Sequence, residues 1–600
     1  MCDKLLEKLP IFVRLTRQCK SVFVVVVILT LIGCAGAPVV DQPDSTADFP
    51  ADSTDNLPAN NVETAAQPDD QGLDSEFLFH VLAAERLGAV GDFEDALGHY
   101  LEAARLSDDP ELAQRVVSLA MRLGEWPAMA EGAARWYELD PSDPAAGQFR
   151  VLGLMNMGEY AAAADQLAGW IRQSDDKSEG WREAVVLIAA ADQEEDALAV
   201  MAALVERAAD SARTPQVLES RSFLMWQLGR TDEALVLALD AAEQGGEKDH
   251  RVWAAQLAAA ASEMDLALDL YRQARADAPD DRGLALAEAE VLRQMDRTDD
   301  AIDLLAAMPP GSEVLYTLGS YLYQAGRMEE AEDAWDQLAA VDDVDDAMHH
   351  AFLVAFLAEL LELDDQALEW YEQVQSGPNV NRALLRRAVI EGQHGNLPAA
   401  RNLLYAVRLG NEPDLSRQSL IVEADLLRVA GQADIAVRLL TRALREQPGS
   451  VALLYSRAIC AVAMDDIELA EQDFRRILQI EDDNAMALNA LGYTLTDRTD
   501  RHQEAYRLIQ RALELEPDSP SILDSMGWVY FRLGRPERAL PYLEEALEGE
   551  DNPEIAAHLG EVLWHLGREA EAIEVLSDAI RRFPDDSYLI DTRQRLGVAE

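Results

Sequence analysis

One spacing recurs down this chain and decides what it can fold into: a Gly, an Ala five residues later, a large apolar residue four further on, an Ala three beyond that, and a Pro five after the last. It is complete in Gly431, Ala436, Leu440, Ala443 and Pro448, and again in Gly567, Ala572, Leu576, Ala579 and Pro584. Ser stands in for Gly in the series Ser262, Ala267, Tyr271, Ala274 and Pro279. Partial copies begin at Gly91, Gly158, Gly229, Gly326, Gly395 and Gly534. Each copy describes two antiparallel helices. The Gly closes the first helix in a left-handed conformation, and the small Ala lets the second approach closely. The large residue fills the space between them, and Pro ends the unit because it cannot continue a helix. Such a unit buries only part of its apolar face alone, so stacking must complete the core.

The copies are separated by about 34 residues or small multiples of it, and the segments Leu488-Asn489-Ala490-Leu491-Gly492-Tyr493 and Met526-Gly527-Trp528 add a Leu/Met-Gly pair in the first helix. In these features the chain resembles the tetratricopeptide repeat (TPR) family. The resemblance implies an all-α fold: a right-handed TPR superhelical solenoid of about fifteen antiparallel helix pairs over residues 75–586. The copies near 180–210 and 285–375 are degenerate, and one extra residue near Asp497-Arg498-Thr499-Asp500-Arg501 pushes a helix turn outward. Residues 587–600, with Tyr588, Leu589, Ile590, Arg593 and Leu596 at helical spacing, read as a C-terminal capping helix.

The amino terminus has a different character. Lys4, Lys8, Arg14, Arg17 and Lys20 precede the largely apolar run Ser21–Thr30, after which comes Leu31-Ile32-Gly33-Cys34. Basic, apolar, then small is the order of a signal peptide, and the run falls short of the roughly 20 residues a spanning helix needs. Leu-Ile-Gly-Cys is similar to the lipobox of bacterial lipoproteins. That resemblance makes 1–33 a lipoprotein signal peptide and Cys34 the acylated first residue of the mature chain. Ala35-Gly36 carry no inner-membrane retention aspartate, so a periplasm-facing, lipid-anchored place on the bacterial outer membrane is implied. Residues 34–74 then read as the lipidated Cys and a disordered acidic linker, rich in Pro, Asp, Ser and Thr and without apolar period.

The charge excludes one class of partner. Against 51 Lys and Arg stand 110 Asp and Glu, a net −59, and the acidic residues read as spread over every segment. With no basic stripe to neutralise phosphates, nucleic acid is not an expected partner. The four cysteines, Cys2, Cys19, Cys34 and Cys460, make no disulfide framework, and Cys460 reads as a small buried residue.

No metal, cofactor or catalytic constellation is legible. His349-His350 point to different helix faces, and Asp342-Asp343-Val344-Asp345-Asp346 lacks the Gly and terminal Glu of a calcium loop. The expectation is a non-enzyme with no small-molecule substrate. What remains is surface. In the resembled family the first helices line the concave side, and positions just beyond the small residue point into it. Those offsets give Tyr323, Tyr493, Trp528, Phe531 and Trp564 as candidate groove contacts.

The long acylated spiral with strong C-terminal repeats resembles the LbcA-type adaptor lipoproteins, whose functional analogue is NlpI. That resemblance implies protein partners: a periplasmic carboxyl-terminal processing protease and substrates such as cell-wall hydrolases. The alternative is a TPR lipoprotein scaffold of an exopolysaccharide secretion complex or another envelope assembly.

Overall fold

The computed structural model describes residues 75–597, except 192, 209–212, 246–247, 343, 345 and 411. The signal peptide, Cys34 and the linker all lie outside the described residues. Among the described residues are 31 helices and no strand. They form fifteen successive helix pairs, from Ser75–Val90 with Phe93–Leu106 to Pro553–His565 with Glu569–Arg582, and a last single helix, Ser587–Leu596.

The turn within each pair explains the spacing. In the Ser312–Gln324 and Met328–Ala339 pair, Gly326 has φ 74°, and this lets Arg327 N–H donate to the Leu322 carbonyl at 2.9 Å. A helix end is thereby satisfied by the left-handed residue that follows it. Four residues with side chains take the same conformation: Ser262 (φ 64°), Asp296 (58°), Glu362 (60°) and Asp465 (61°). The equivalent bond closes each turn, as from Leu363 N–H to the Ala358 carbonyl at 2.9 Å. Asp296 and Glu362 sit in the stretch that looks degenerate in sequence, yet an Ala follows each five residues on and a large residue nine on. These are Ala301 and Leu305, and Ala367 and Tyr371, none more than 1% exposed. The packing rule is kept where the Gly is lost.

A left-handed residue other than Gly carries about 1–2 kcal/mol of steric cost, partly offset by the greater backbone entropy Gly loses on folding. Glu362→Gly is therefore expected to stabilise its repeat by about 0.5–1 kcal/mol, read as a higher denaturant midpoint. Asp296 and Asp465 should gain less, because Asp tolerates this conformation better.

Two compact units are distinguished, one ending at Pro309 and one beginning at Pro310. The break follows the nine-residue helix Thr298–Ala306, and two successive prolines prevent it from continuing. In the first unit the other degenerate stretch is a true irregularity. Helix Glu194–Ala208 packs chiefly on Tyr160–Gln173 of the preceding pair, and less on its own sequence neighbour Lys177–Ile188.

In the last repeats of the second unit successive first helices touch. Ala485–Arg498 packs on Pro520–Arg532, which meets Pro553–His565, which meets Ser587–Leu596. The second helices instead pack on the first helix that follows them. First helices thus occupy the inner side of the stack's curvature. The Ser587–Leu596 helix is capped by the Asp586 carboxylate, which accepts from Leu589 N–H, and it buries Leu589 completely. At the lengthened turn Gly is absent. Thr499, in extended conformation, bonds the Leu495 carbonyl through its hydroxyl at 2.6 Å and accepts from Arg501 N–H at 3.1 Å.

The balance of charge differs from helix to helix. Second helices such as Met328–Ala339 and Asp364–Gln373 carry acidic residues and no basic ones, whereas Ala485–Arg498 and Pro520–Arg532 are balanced. Buried carboxylates are matched by arginines: Glu288 by Arg272 and Arg275, Glu423 by Arg401 and Arg408, and Asp473 by Arg457. Such pairing is what makes a carboxylate tolerable inside a core.

Candidate partner-binding surface

The inner face of the last repeats is built from residues four apart on successive first helices, the spacing that puts side chains on one face. Asn489 and Tyr493 lie on Ala485–Arg498, Asp524 and Trp528 on Pro520–Arg532, and Glu554 and His558 on Pro553–His565. The terminal helix adds Tyr588. The Tyr493 hydroxyl donates to the Glu554 carboxylate, so the first helices of two repeats separated by a third meet directly. The curve is tight here.

His558 is the hub. It is fully buried, its Nδ1 lies 2.9 Å from Asp524 Oδ1, and its Nε2 lies 3.1 Å from the Tyr588 hydroxyl. Its ring stacks on Trp528 at 4.0 Å between centroids, and Tyr493 lies 6.2 Å away. Burial opposes charge on His558, but the Asp524 carboxylate, with Glu554 and Asp497 behind it, outweighs that and raises the imidazole pKa. Tyr493 and Tyr588 are held above the ordinary phenol range, first by burial and then by the same carboxylates. The order Asp524, His558, Tyr588 is that of a proton relay, but a buried imidazole bonded to a phenol of raised pKa offers no nucleophile. Its chemistry is structural: it ties three successive first helices together.

A folded-state pKa raised above the unfolded value contributes stability that is complete below about pH 6.5 and is lost as the pH rises through the folded value. Amide protection in the Pro553–His565 and Ser587–Leu596 helices, corrected for intrinsic exchange, should therefore decline as the pH rises above about 6.5 and through the raised folded-state value of His558. In His558→Gln that decline should disappear.

The candidate contacts read from sequence fall in different places. Tyr493 and Phe531 are half-buried on this face, and Phe531 stands edge-on to His565 at 4.9 Å. Trp528 differs from its expected role as an open contact. It is 4% exposed, because the His558 ring of the next repeat stacks on it at 4.0 Å and Phe531 packs 5.2 Å away. Its Nε1–H has no acceptor among the described residues. Trp564 is half-buried against the core of the last repeats. Tyr323, half-buried on Ser312–Gln324, is not part of this cluster.

Asp524, Glu554, His558 and Tyr588 were missed by the offset rule, which counts only toward the C-terminus from the small residue. The helical period carried four residues back from Trp528 reaches Asp524.

The remaining polar features are structural. His350 Nδ1 pairs with Ser312 Oγ at 2.9 Å and His349 Nδ1 with Asn379 Nδ2 at 3.2 Å. Asp346 caps the helix Ala347–Leu360. Cys460 is 1% exposed, and burial pushes its thiol up to about 11, which makes it inert. Among the described residues no group of His, Cys, Asp and Glu is placed to hold a metal, and no helix is long and apolar enough to cross a membrane.

Comparison with known proteins finds the same repeat along the chain. Sequence families described as tetratricopeptide repeat match residues 316–380, 421–485 and 525–587, and also 483–549. A TPR repeat-containing protein of Pseudomonas aeruginosa is 32% identical over 535 residues, covering 88% of each chain. Among solved structures, a thermophilic TPR protein of Thermus thermophilus is 26% identical, covering 30% of this chain and 97% of its own with a TM-score of 0.28. Yeast Tom70 is 14% identical, covering 87% and 99% with a TM-score of 0.36.

Proposed function

This chain belongs to the tetratricopeptide repeat family, and from that premise we propose that it is a membrane-anchored adaptor that holds other proteins on the inner face of its C-terminal repeats. The observation that carries the reading is the run of first helices from Tyr493 to Tyr588, which the buried Asp524, Trp528 and His558 tie together beneath the partly exposed Asn489, Tyr493, Glu554 and Tyr588. A preorganised face loses little entropy when a partner docks. In this proposal Cys34 is acylated and keeps the chain on the periplasmic side of the outer membrane. The partners are a carboxyl-terminal processing protease and the cell-wall hydrolases it degrades. Holding both on one chain turns their encounter into an effectively intramolecular step and asks for no catalytic residue in the adaptor.

Affinity capture of the full chain from envelopes, with the recovered proteins identified by mass spectrometry, tests this. The expected result is co-recovery of a processing protease and at least one hydrolase, lost from the membrane fraction in Cys34→Ser. Recovery of polysaccharide-export components with neither protease nor hydrolase would sink the adaptor reading.

A further inference from the structure

A second surface, on second helices of the same unit, has the opposite character from the acidic second helices Met328–Ala339 and Asp364–Gln373. The helix Leu397–Arg408 contains two arginines and no acidic residue, and Arg401, Tyr405 and Arg408 lie at i, i+4 and i+7 on one side of it. The next second helix, Ala433–Glu446, repeats the spacing with Arg438, Arg442 and Arg445, all exposed. Along the first of these helices, against Glu423 of the helix Pro413–Val429 and Gln432 of the turn after it, is a groove of about 510 Å³ lined by Leu397, Arg401, Tyr405 and Arg408. Within a chain of net charge −59, this is a concentration of positive charge.

The groove is built, not incidental. Glu423, 2% exposed, forms its floor and fixes both guanidinium groups, accepting from Arg401 Nε at 2.8 Å and Arg408 Nη2 at 2.7 Å. One carboxylate therefore orients two cations and leaves positive charge in excess. Arg401 uses Nε alone among the described residues, so both of its terminal nitrogens are open to an acceptor. Tyr405 is 59% exposed, with the Arg408 guanidinium 5.9 Å from its ring centroid. Fixed arginines beside an exposed aromatic ring suit planar anions attached to an apolar stem.

We propose that this groove is a docking site for an acidic peptide segment of a partner protein. Carboxylates of Asp or Glu would take the open Arg401 nitrogens, and a neighbouring side chain of the peptide would cover the Tyr405 ring. Charge complementarity favours such an occupant: the acidic second helix before the groove, Asp364–Gln373, repels a misplaced acidic peptide, and the arginines of Ala433–Glu446 on the other side attract it. The site does not depend on the inner face, and it gives the chain a second partner-specific surface.

The test is fluorescence anisotropy of the full chain with a labelled Asp/Glu-rich decapeptide carrying one tyrosine, at two salt concentrations. Saturable binding that weakens as salt rises is expected. Because Arg401 also holds a buried carboxylate, two variants are used. Tyr405→Ala removes only an exposed ring. Arg401→Gln combined with Tyr405→Ala should weaken binding by about tenfold or more, since a charge-assisted hydrogen bond is lost as well. Unchanged affinity in Tyr405→Ala, no binding by the unmodified chain, or binding of anionic vesicles or free phosphate in place of the peptide would each overturn the proposal.

Discussion

Replacing His558 by Leu is expected to destabilise the C-terminal repeats by about 3–5 kcal/mol, the cost of leaving a buried charge without its partner. Asp524 is 6% exposed and is bonded to His558 through both carboxylate oxygens, at 2.9 and 3.1 Å. The same change strips the stacked ring from Trp528 and the hydrogen-bond partner from the Tyr588 hydroxyl. The loss should be local. Unfolding of the Pro520–Leu596 segment, followed by hydrogen exchange, should shift while the repeats before Pro310 keep their protection. Changing Asp524 to Leu as well should recover most of the loss, because an apolar pair replaces an ionic one without an orphaned charge. A double variant no more stable than His558→Leu would show that the pair is not what holds these helices.

Gly527→Val is expected to cost about 3 kcal/mol, at the upper end of ordinary overpacking. A Cβ at this position would lie 2.5 Å from Leu543 Cγ and 3.2 Å from the Ala539 carbonyl oxygen. Leu543 and Ala539 are both fully buried, so neither has room to retreat. Gly169 provides the contrast, since its Cβ would meet nothing within 4 Å. Gly169→Ala should stabilise its helix by up to about 1 kcal/mol through propensity alone. Denaturant midpoints of the two variants should therefore move in opposite directions. A neutral Gly527→Val would mean that the close approach of the two helices in this repeat is not required.

The helix pairs were legible because their spacing records a steric need at every repeat. Where Asp296 or Glu362 replaces the turn Gly the signal weakens, although the buried Ala and large residue that follow are still in place. Those two positions mark a repeat better than the Gly does, since a left-handed turn tolerates a side chain at modest cost and the core tolerates none. The inner face was legible in part. The offset rule names Tyr493 and Phe531, which lie half-buried on the first helices, while His558 and Tyr588 act between repeats and carry no mark within one. Trp528 shows the limit of the offset rule: whether an inward aromatic is open depends on the side chain that the next repeat sets over it. The arginine groove was hidden by the whole-chain charge, which averages a local basic surface into an acidic total.

Hydrogen–deuterium exchange of the full chain, with and without the protein it captures, tests most directly whether this is a scaffold that works through its inner face. New protection is predicted in the first helices Ala485–Arg498, Pro520–Arg532 and Pro553–His565 and in Ser587–Leu596, with the adjoining second helices unchanged. Protection confined to the second helices, or none on binding, would contradict it.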